Sequence, residues 1–194
     1  MSKSDPAASK RERNKTIRWV VTIFIVTIFI SGAISLLSDV IMENSSVFVA
    51  FLILLAIILI GIIFDIIGMA VASADEKPFH SMAARKVAGA QESIALLRNA
   101  ERVSSICNDV VGDICGVVSG SASATIAVQI ISNFDFSWPQ IVSLAMSALA
   151  AGLTVGGKAI GKSFAVNSST AIVHSVGKCI HWLHSLTKPK KKTK

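Results

Sequence analysis

The stretch "VFVAFLILLAIILIGIIF" at residues 47–64 decides the fold of this chain, because it contains no charged or polar side chain. An α-helix needs about 20 apolar residues to cross the hydrocarbon core of a bilayer. A second stretch of this kind, "WVVTIFIVTIFISGAISLL" at residues 19–37, lies before it and is also dense in Ile, Val and Phe. We expect both stretches to span a membrane as helices.

Two further segments lack charge, at residues 114–134 and 136–157, and they are rich in Gly, Ser and Ala. Small residues let helix backbones approach closely, so such spans are typical of the inside of a bundle. Only 16% of the chain is charged, whereas a soluble domain usually has about 25%. The predicted fold class is an all-α integral membrane protein with four transmembrane helices. The alternative is two membrane anchors that carry a small soluble helical domain.

Positive charge near the ends of the spans predicts their orientation. Basic residues precede the first span, follow the second span and end the chain, whereas the loops "SDVIMENSS" and "SNFDFSWPQ" contain no Lys or Arg. We therefore expect a multi-pass protein of the cytoplasmic membrane with both termini in the cytoplasm. The chain has a net charge of +7, and its positive excess lies in the basic flanks, residues 1–18 and 187–194, which suit anionic lipid heads. The bilayer is the expected partner, and no nucleic acid is expected.

The segment "GGKAIGKS" at residues 156–163 fits the phosphate-loop pattern G-x-x-x-x-G-K-[ST]. A working phosphate loop lies between a β-strand and a helix in a parallel sheet. Here the preceding residues, "SALAAGLTV", end a predicted span. We therefore expect no nucleotide to bind this segment.

Several stretches occur in an order that resembles a known family. They are "FDIIGMAVASAD" at 64–75, "RKVAGAQESIALLRNAERVSSI" at 85–106, "CNDVVGD" at 107–113 and "GGKAIGKSFAVNSSTAIVHSVGKCIHWL" at 156–183. The series is similar to the motifs of the membrane domains of the bacterial CorB/CorC magnesium transporters and the animal cyclin M (CNNM) proteins. In that family, F-S-G-S-E-x-A ends one span and A-x-x-x-L-L-x-N-P-x-R lies in the cytoplasmic helices. G-N-x-x-x-N begins the next span, and F-G-E-I-x-P-K-x-x-A ends the last.

The resemblance implies a domain layout. Residues 19–40 form an extra transmembrane helix, and residues 46–186 form a CNNM/CorC-like transmembrane domain. Its spans cover about 46–72, 103–132 and 138–158, with cytoplasmic helices at 78–101. A homodimer is expected because the family dimerises. The regulatory CBS modules that commonly follow in the family are not expected in this chain, so a separate regulatory subunit is a further possible partner.

The resemblance also implies a function, which is transport of a divalent cation, magnesium first and cobalt second, and not catalysis. In the family a magnesium ion lies between the spans, held by serine, asparagine and glutamate oxygens. Carried over by position, the two serines become Asp65 and Ile67, and the first asparagine is retained as Asn108. The glutamate becomes Lys158, and the lysine of the same motif is retained as Lys162.

The charges of these residues leave two interpretations open. Hard oxygen atoms, which magnesium prefers, are available on Asp65, Asn108, Asp109 and Asp113. Lys158, however, places a cation where the family has an anion, and two like charges ~4 Å apart repel by about 4 kcal/mol at an effective dielectric near 20. In one interpretation an altered ion site survives. In the other, the tethered ammonium of Lys158 replaces the ion and pairs with one of the aspartates. The protein is then a non-transporting scaffold or regulator, or one whose lysine gates or exchanges for the ion, with Lys162 as a second pairing or gating residue.

Three glycines, Gly112, Gly116 and Gly120, are spaced four residues apart in the third span. This G-x-x-x-G spacing predicts close helix packing. Cys179, His181 and His184 are too few to indicate a zinc site, and their segment is predicted to be an amphipathic interfacial stretch with Trp182 at the level of the lipid heads. No grouping of side chains indicates an enzyme.

Overall fold

The computed structural model describes residues 6–43, 45–133 and 138–187 of the chain. Within these ranges all regular structure is helical, and no strand occurs. Four helical segments are long and apolar enough to span a membrane: Thr16–Met42, Val47–Ser73, Ala100–Asn133 and Pro139–Asn167. The prediction of an all-α protein with four such helices is therefore confirmed. The basic tail at residues 188–194 lies outside the described residues.

The helices follow one another with short connections. In chain order they are α1 (Pro6–Glu43), α2 (Val47–Ser73), α3 (Lys77–Ala84), α4 (Ala90–Arg98), α5 (Ala100–Ser105), a π-helical segment (Ile106–Gly112), α6 (Asp113–Asn133), α7 (Pro139–Asn167) and α8 (Ser169–Thr187). The third candidate span combines α5, the π-helical segment and α6. We call the end of the bundle with α3–α5 and α8 the short-helix end, and the opposite end the loop end.

Local sequence explains where two of the spans begin. Ser46 precedes α2, and its hydroxyl accepts a hydrogen bond from the Val49 backbone N–H at 3.5 Å. A serine in this position satisfies an amide that the first helical turn leaves free. Pro139 occupies the first turn of α7, where its missing N–H costs nothing.

Helix α2 is the centre of the bundle and packs against both α6 and α7. Apolar side chains of α2 and α6, with Met42 from the end of α1, form one core toward the loop end; its buried members are Met42, Ala50, Leu54, Ile58, Ala122 and Ile126. A second core joins α2 to α3, α7 and α8 at the short-helix end; its buried members are Ala70, Val71, Phe79, Ala165 and Val173. Helix α1 packs mainly on α6 and remains largely exposed.

Two glycines let α4 and α8 touch at the short-helix end. Gly89 precedes α4 with φ 83°, in the left-handed region, which glycine adopts without a steric penalty. A Cβ added there would lie 2.5 Å from the backbone N of Lys178, and a Cβ on Gly177 would lie 2.5 Å from the Gly89 carbonyl oxygen. The buried Ser93 hydroxyl donates to the Gly89 carbonyl at 2.8 Å and lies 3.2 Å from the Val173 carbonyl. These contacts fix α8 against the short helices.

Candidate functional site

A charged pair lies where α2 crosses α7. The Lys158 Nζ atom is 3.7 Å from the Asp65 Oδ1 atom, and the two side chains are 26% and 17% exposed. Gly157 and Gly161 flank Lys158 and lie directly against Ile62 and Ile66 of α2. Because these glycines have no side chains, α7 comes close enough for the ammonium group to reach the carboxylate.

The geometry of the pair is that of a charge contact. A separation of 3.7 Å exceeds the 2.7–3.2 Å typical of an N–H···O hydrogen bond. The attraction between unit charges at this separation is about 4 kcal/mol at an effective dielectric near 20. The cost of removing both groups from water offsets much of that gain. The ammonium group therefore compensates the Asp65 charge without being locked to it by a hydrogen bond.

The π-helical segment forms the third side of the site. A Cβ added to Gly112 would lie 3.3 Å from Lys158 Nζ and 3.8 Å from Asp65 Oδ1. The glycine thus leaves room for the lysine beside the backbone. A π-helix shifts hydrogen bonding from the i+4 to the i+5 residue and occurs frequently at functional sites. The sequence contains no signal that predicts this segment.

One turn before Gly112, Asn108 carries a buried oxygen that has no hydrogen-bond partner in the described part of the chain. Its Nδ2 donates to the Ser104 hydroxyl at 3.2 Å, which leaves Oδ1 as the free end of the amide. Oδ1 is buried and accepts no hydrogen bond from any described residue. It faces Gly68 of α2, where a Cβ would collide with it. A buried acceptor without a partner costs about 1–3 kcal/mol, and in native proteins it calls for an explanation such as a water or an ion.

The structure does not bring the remaining predicted residues to this point. Asp109 is exposed and accepts a hydrogen bond from the Ser105 hydroxyl at 2.8 Å. Asp113 and Lys162 are also exposed. Residues 106–112 are π-helical, so the four-residue spacing of Asp109 and Asp113 does not put them on one helix face as it would in an α-helix.

The site therefore offers two hard oxygen groups, the Asp65 carboxylate and the Asn108 carbonyl. Within the described part of the chain, no group of three or more His, Cys, Asp or Glu side chains could hold a metal ion. Magnesium commonly keeps several waters and is bound through one or two protein oxygens, so this small set is chemically suitable. The Lys158 ammonium opposes any cation placed beside Asp65.

Two of the three glycines predicted for helix packing face open space within the single chain. A Cβ on Gly116 or Gly120 would meet no atom within 4 Å. Both glycines line a groove of about 200 Å³ between α6 and α7, together with Ser119, Ser123 and Thr154. Close approach inside the chain occurs at Gly61 and Gly68 of α2 instead. The sequence signal for Gly61 and Gly68 is a glycine inside an apolar run, which indicates close approach of another backbone.

Comparisons with protein-family models, with curated proteins and with solved structures gave no match to this chain.

Proposed function

We propose that this protein transports a divalent cation, magnesium first, across the cytoplasmic membrane, and that the ion exchanges with the Lys158 ammonium beside Asp65. One observation carries the proposal: a compensated carboxylate lies one helical turn from a buried carbonyl oxygen, Asn108 Oδ1, that has no partner among the described residues. Ionisable groups inside membrane helices mark ion paths or pair with one another. Here the pair is accompanied by an oxygen that a structural ion pair does not need.

In the proposed cycle the Lys158 ammonium group competes with the transported cation for the Asp65 carboxylate. With Lys158 in place, the ammonium group neutralises Asp65 and no further cation is attracted. Long lysine side chains can extend along apolar surface and keep their charged end in water, so Lys158 can withdraw toward the short-helix end of the bundle. Withdrawal exposes the Asp65 carboxylate and the Asn108 carbonyl to a partly hydrated cation, and return of the ammonium displaces that cation.

The charge distribution supports the orientation proposed for the carrier. Arg85, Lys86, Arg98 and Arg102 belong to the short-helix segment, and by the positive-inside rule they favour a cytoplasmic location for that end. The groove beside Gly116 and Gly120 supports a homodimer, because small residues on an exposed span favour a second helix. A separate regulatory subunit remains part of the proposal on the resemblance alone.

The second candidate function is a non-transporting membrane scaffold or regulator. The observation that favours it is the same contact: Lys158 already compensates Asp65 at 3.7 Å, so the site is neutral without an ion. In this alternative Lys158 never leaves, and its removal exposes an unpaired carboxylate without producing transport.

Transport by proteoliposomes with a trapped magnesium indicator tests the proposal. We expect magnesium uptake by the wild type, and strong loss of uptake in Asp65→Asn and in Asn108→Leu. Lys158→Gln removes the competitor and is expected to change the rate and to tighten magnesium binding. Lys162→Gln, an exposed lysine one turn further along α7, is the matched control and should behave as the wild type.

One result would reject transport itself, and another would reject the path through Asp65 and Asn108. If the wild type takes up no more magnesium than empty liposomes while Lys158→Glu binds magnesium in calorimetry, the lysine has displaced the ion and the scaffold alternative holds. If the wild type transports but Asp65→Asn and Asn108→Leu transport equally well, the ion path lies elsewhere.

A further inference from the structure

A second polar region lies between α1 and α6 at the loop end. On α6 the polar side chains recur every four residues, at Ser121, Thr125 and Gln129, and so share one helix face. Each contacts a residue of α1, and we call these three contacts the α1–α6 ladder. The Ser121 and Ser35 hydroxyls are 3.4 Å apart, the Thr125 hydroxyl is 3.5 Å from Asp39 Oδ1, and Gln129 Nε2 donates to the Met42 carbonyl at 2.7 Å.

The carboxylate in this ladder, Asp39, has no cationic partner among the residues that the structure describes. Asp39 lies within the apolar stretch Thr16–Met42 and its side chain is half-buried. None of the salt bridges among the described residues includes it. Polar side chains such as serine and threonine are sufficient to join two membrane helices. A carboxylate in a span is expensive and is by default a functional residue.

The ladder also contains a buried oxygen to which no described residue donates a hydrogen bond. Because Gln129 Nε2 donates to the Met42 carbonyl, the amide orientation is fixed and Oε1 is its free end. Gln129 Oε1 is buried and has no hydrogen-bond partner among the described residues. Gln129 and Thr125, together with Ala124 and Val128, line a cavity of about 380 Å³. The Asp39 carboxylate thus contacts the Thr125 hydroxyl, and the Gln129 carbonyl oxygen belongs to the next turn of α6.

We propose that Asp39, Thr125 and Gln129 form a binding site for a hard divalent cation, Mg²⁺ or Mn²⁺, at the loop end of the bundle. Carboxylate, hydroxyl and amide carbonyl oxygens are the ligand types that such cations prefer, and waters complete the shell. Along α6 the buried residues Ile114 and Val118, packed against Ile23 and Ile57, separate the ladder from the π-helical segment. The site is therefore distinct from the Asp65–Lys158 pair and does not depend on the transport proposal.

Mn²⁺ binding to the full chain in nanodiscs tests this site, with free Mn²⁺ measured by its electron paramagnetic resonance signal. The Asp65→Asn/Lys158→Met double variant is the background, because it removes the pair at the other site. We expect this background to bind Mn²⁺ in competition with Mg²⁺. Asp39→Asn should raise the dissociation constant about tenfold or more, since a charged ligand becomes neutral. Asp75→Asn, which changes an exposed carboxylate at the short-helix end, should leave binding unchanged.

Two substitutions at Gln129 keep the test decisive. Gln129→Met keeps the side-chain length but removes the carbonyl oxygen, and it should weaken binding severalfold. Gln129→Glu keeps an oxygen and adds a charge, so it should tighten binding, and it decides the outcome if Gln129→Met fails to fold. If the background protein binds no Mn²⁺, or binds it equally well after Asp39→Asn and Gln129→Glu, the ladder only joins two helices and the proposal is rejected.

Discussion

Gly68 of α2 lies directly against the side-chain amide of Asn108, so closely that a Cβ at residue 68 would collide with the Asn108 Oδ1 atom. The same Cβ would lie 3.0 Å from the Cβ of Cys107. The contact holds α2 and the π-helical segment together beside Asp65. The Asn108 Oδ1 atom can therefore occupy its position only because residue 68 is a glycine and has no Cβ.

Gly68→Ala is therefore expected to destabilise the protein. Overpacking of a close contact typically costs about 1–3 kcal/mol, and alanine's better helix propensity recovers only part of this. Thermal unfolding in detergent measures the change. Gly152→Ala is the matched control, because a Cβ there meets no atom within 4 Å. Equal melting temperatures for the two variants would contradict the close contact.

Lys158→Met is expected to destabilise the protein by leaving Asp65 without its compensating charge. The pair is neither fully exposed nor fully buried, so the cost should lie between the 0–1 kcal/mol of surface pairs and the larger cost of breaking buried ones, at about 1–3 kcal/mol. The Asp65→Asn/Lys158→Met double variant should recover most of the loss. Unfolding of the wild type, both single variants and the double variant gives the coupling energy.

The control for that cycle is Lys162→Met, which removes an exposed lysine from the same helix. Its effect should stay within about 0.5 kcal/mol, as for most surface substitutions. A coupling energy of zero between residues 65 and 158 would show that the contact contributes nothing to stability.

Ser93→Ala is expected to loosen α8 from α4. The Ser93 side chain is fully buried, and its hydroxyl joins the Gly89 carbonyl to the Val173 carbonyl across the two helices. Loss of this donor removes the side-chain hydrogen bond across the two helices, which costs about 0.5–1.5 kcal/mol, while the Gly89 carbonyl keeps the Ser93 backbone N–H at 2.9 Å. Hydrogen exchange of the α8 amides measures the loosening. Ser175→Ala, whose hydroxyl bonds within α8 at an exposed position, should leave the exchange unchanged. Equal protection of the α8 amides in both variants would contradict the role of the Ser93 hydroxyl in holding α8 against α4.

The contact between Glu92 and His181 predicts a dependence of stability on pH. The His181 Nδ1 atom lies 2.7 Å from Glu92 Oε1, and this hydrogen bond lowers the pKa of the Glu92 carboxyl from its ordinary value of 4.5. A carboxyl whose pKa is lower in the folded state stabilises the fold above its unfolded pKa, and the gain disappears as the pH falls through the folded pKa. The contribution is thus complete above pH 4.5 and is lost below it.

Melting temperatures of the wild type and Glu92→Gln between pH 3 and pH 7 check this prediction. The wild type should be more stable above pH 4.5, and the two proteins should converge as the pH falls further. Glu101→Gln, an exposed glutamate of α5, is the control and should follow the wild type throughout. A difference between the wild type and Glu92→Gln that does not change with pH would contradict the role of the ionised carboxyl.

Several features of this protein follow from the sequence alone. Apolar runs of spanning length predict helices whatever their neighbours are, because a backbone in lipid must satisfy its hydrogen bonds within the segment. For that reason residues 47–64 predicted the central helix α2, and the four-helix prediction was confirmed. The pairing of Lys158 with Asp65 was one of the alternatives that charge compensation suggested, since charged groups within spans tend to pair.

Only the tertiary structure decided which of the candidate residues meet. Asp109 and Asp113 carry the same chemical signal as Asp65, but residues 106–112 wind as a π-helix and both aspartates lie on the surface. The contact of Gly68 with Asn108 and the α1–α6 ladder were equally absent from the sequence pattern, because they join residues that are 40 or more positions apart in the sequence. Periodicity describes one helix at a time, whereas a site between helices depends on their relative rotation, which close packing of side chains sets.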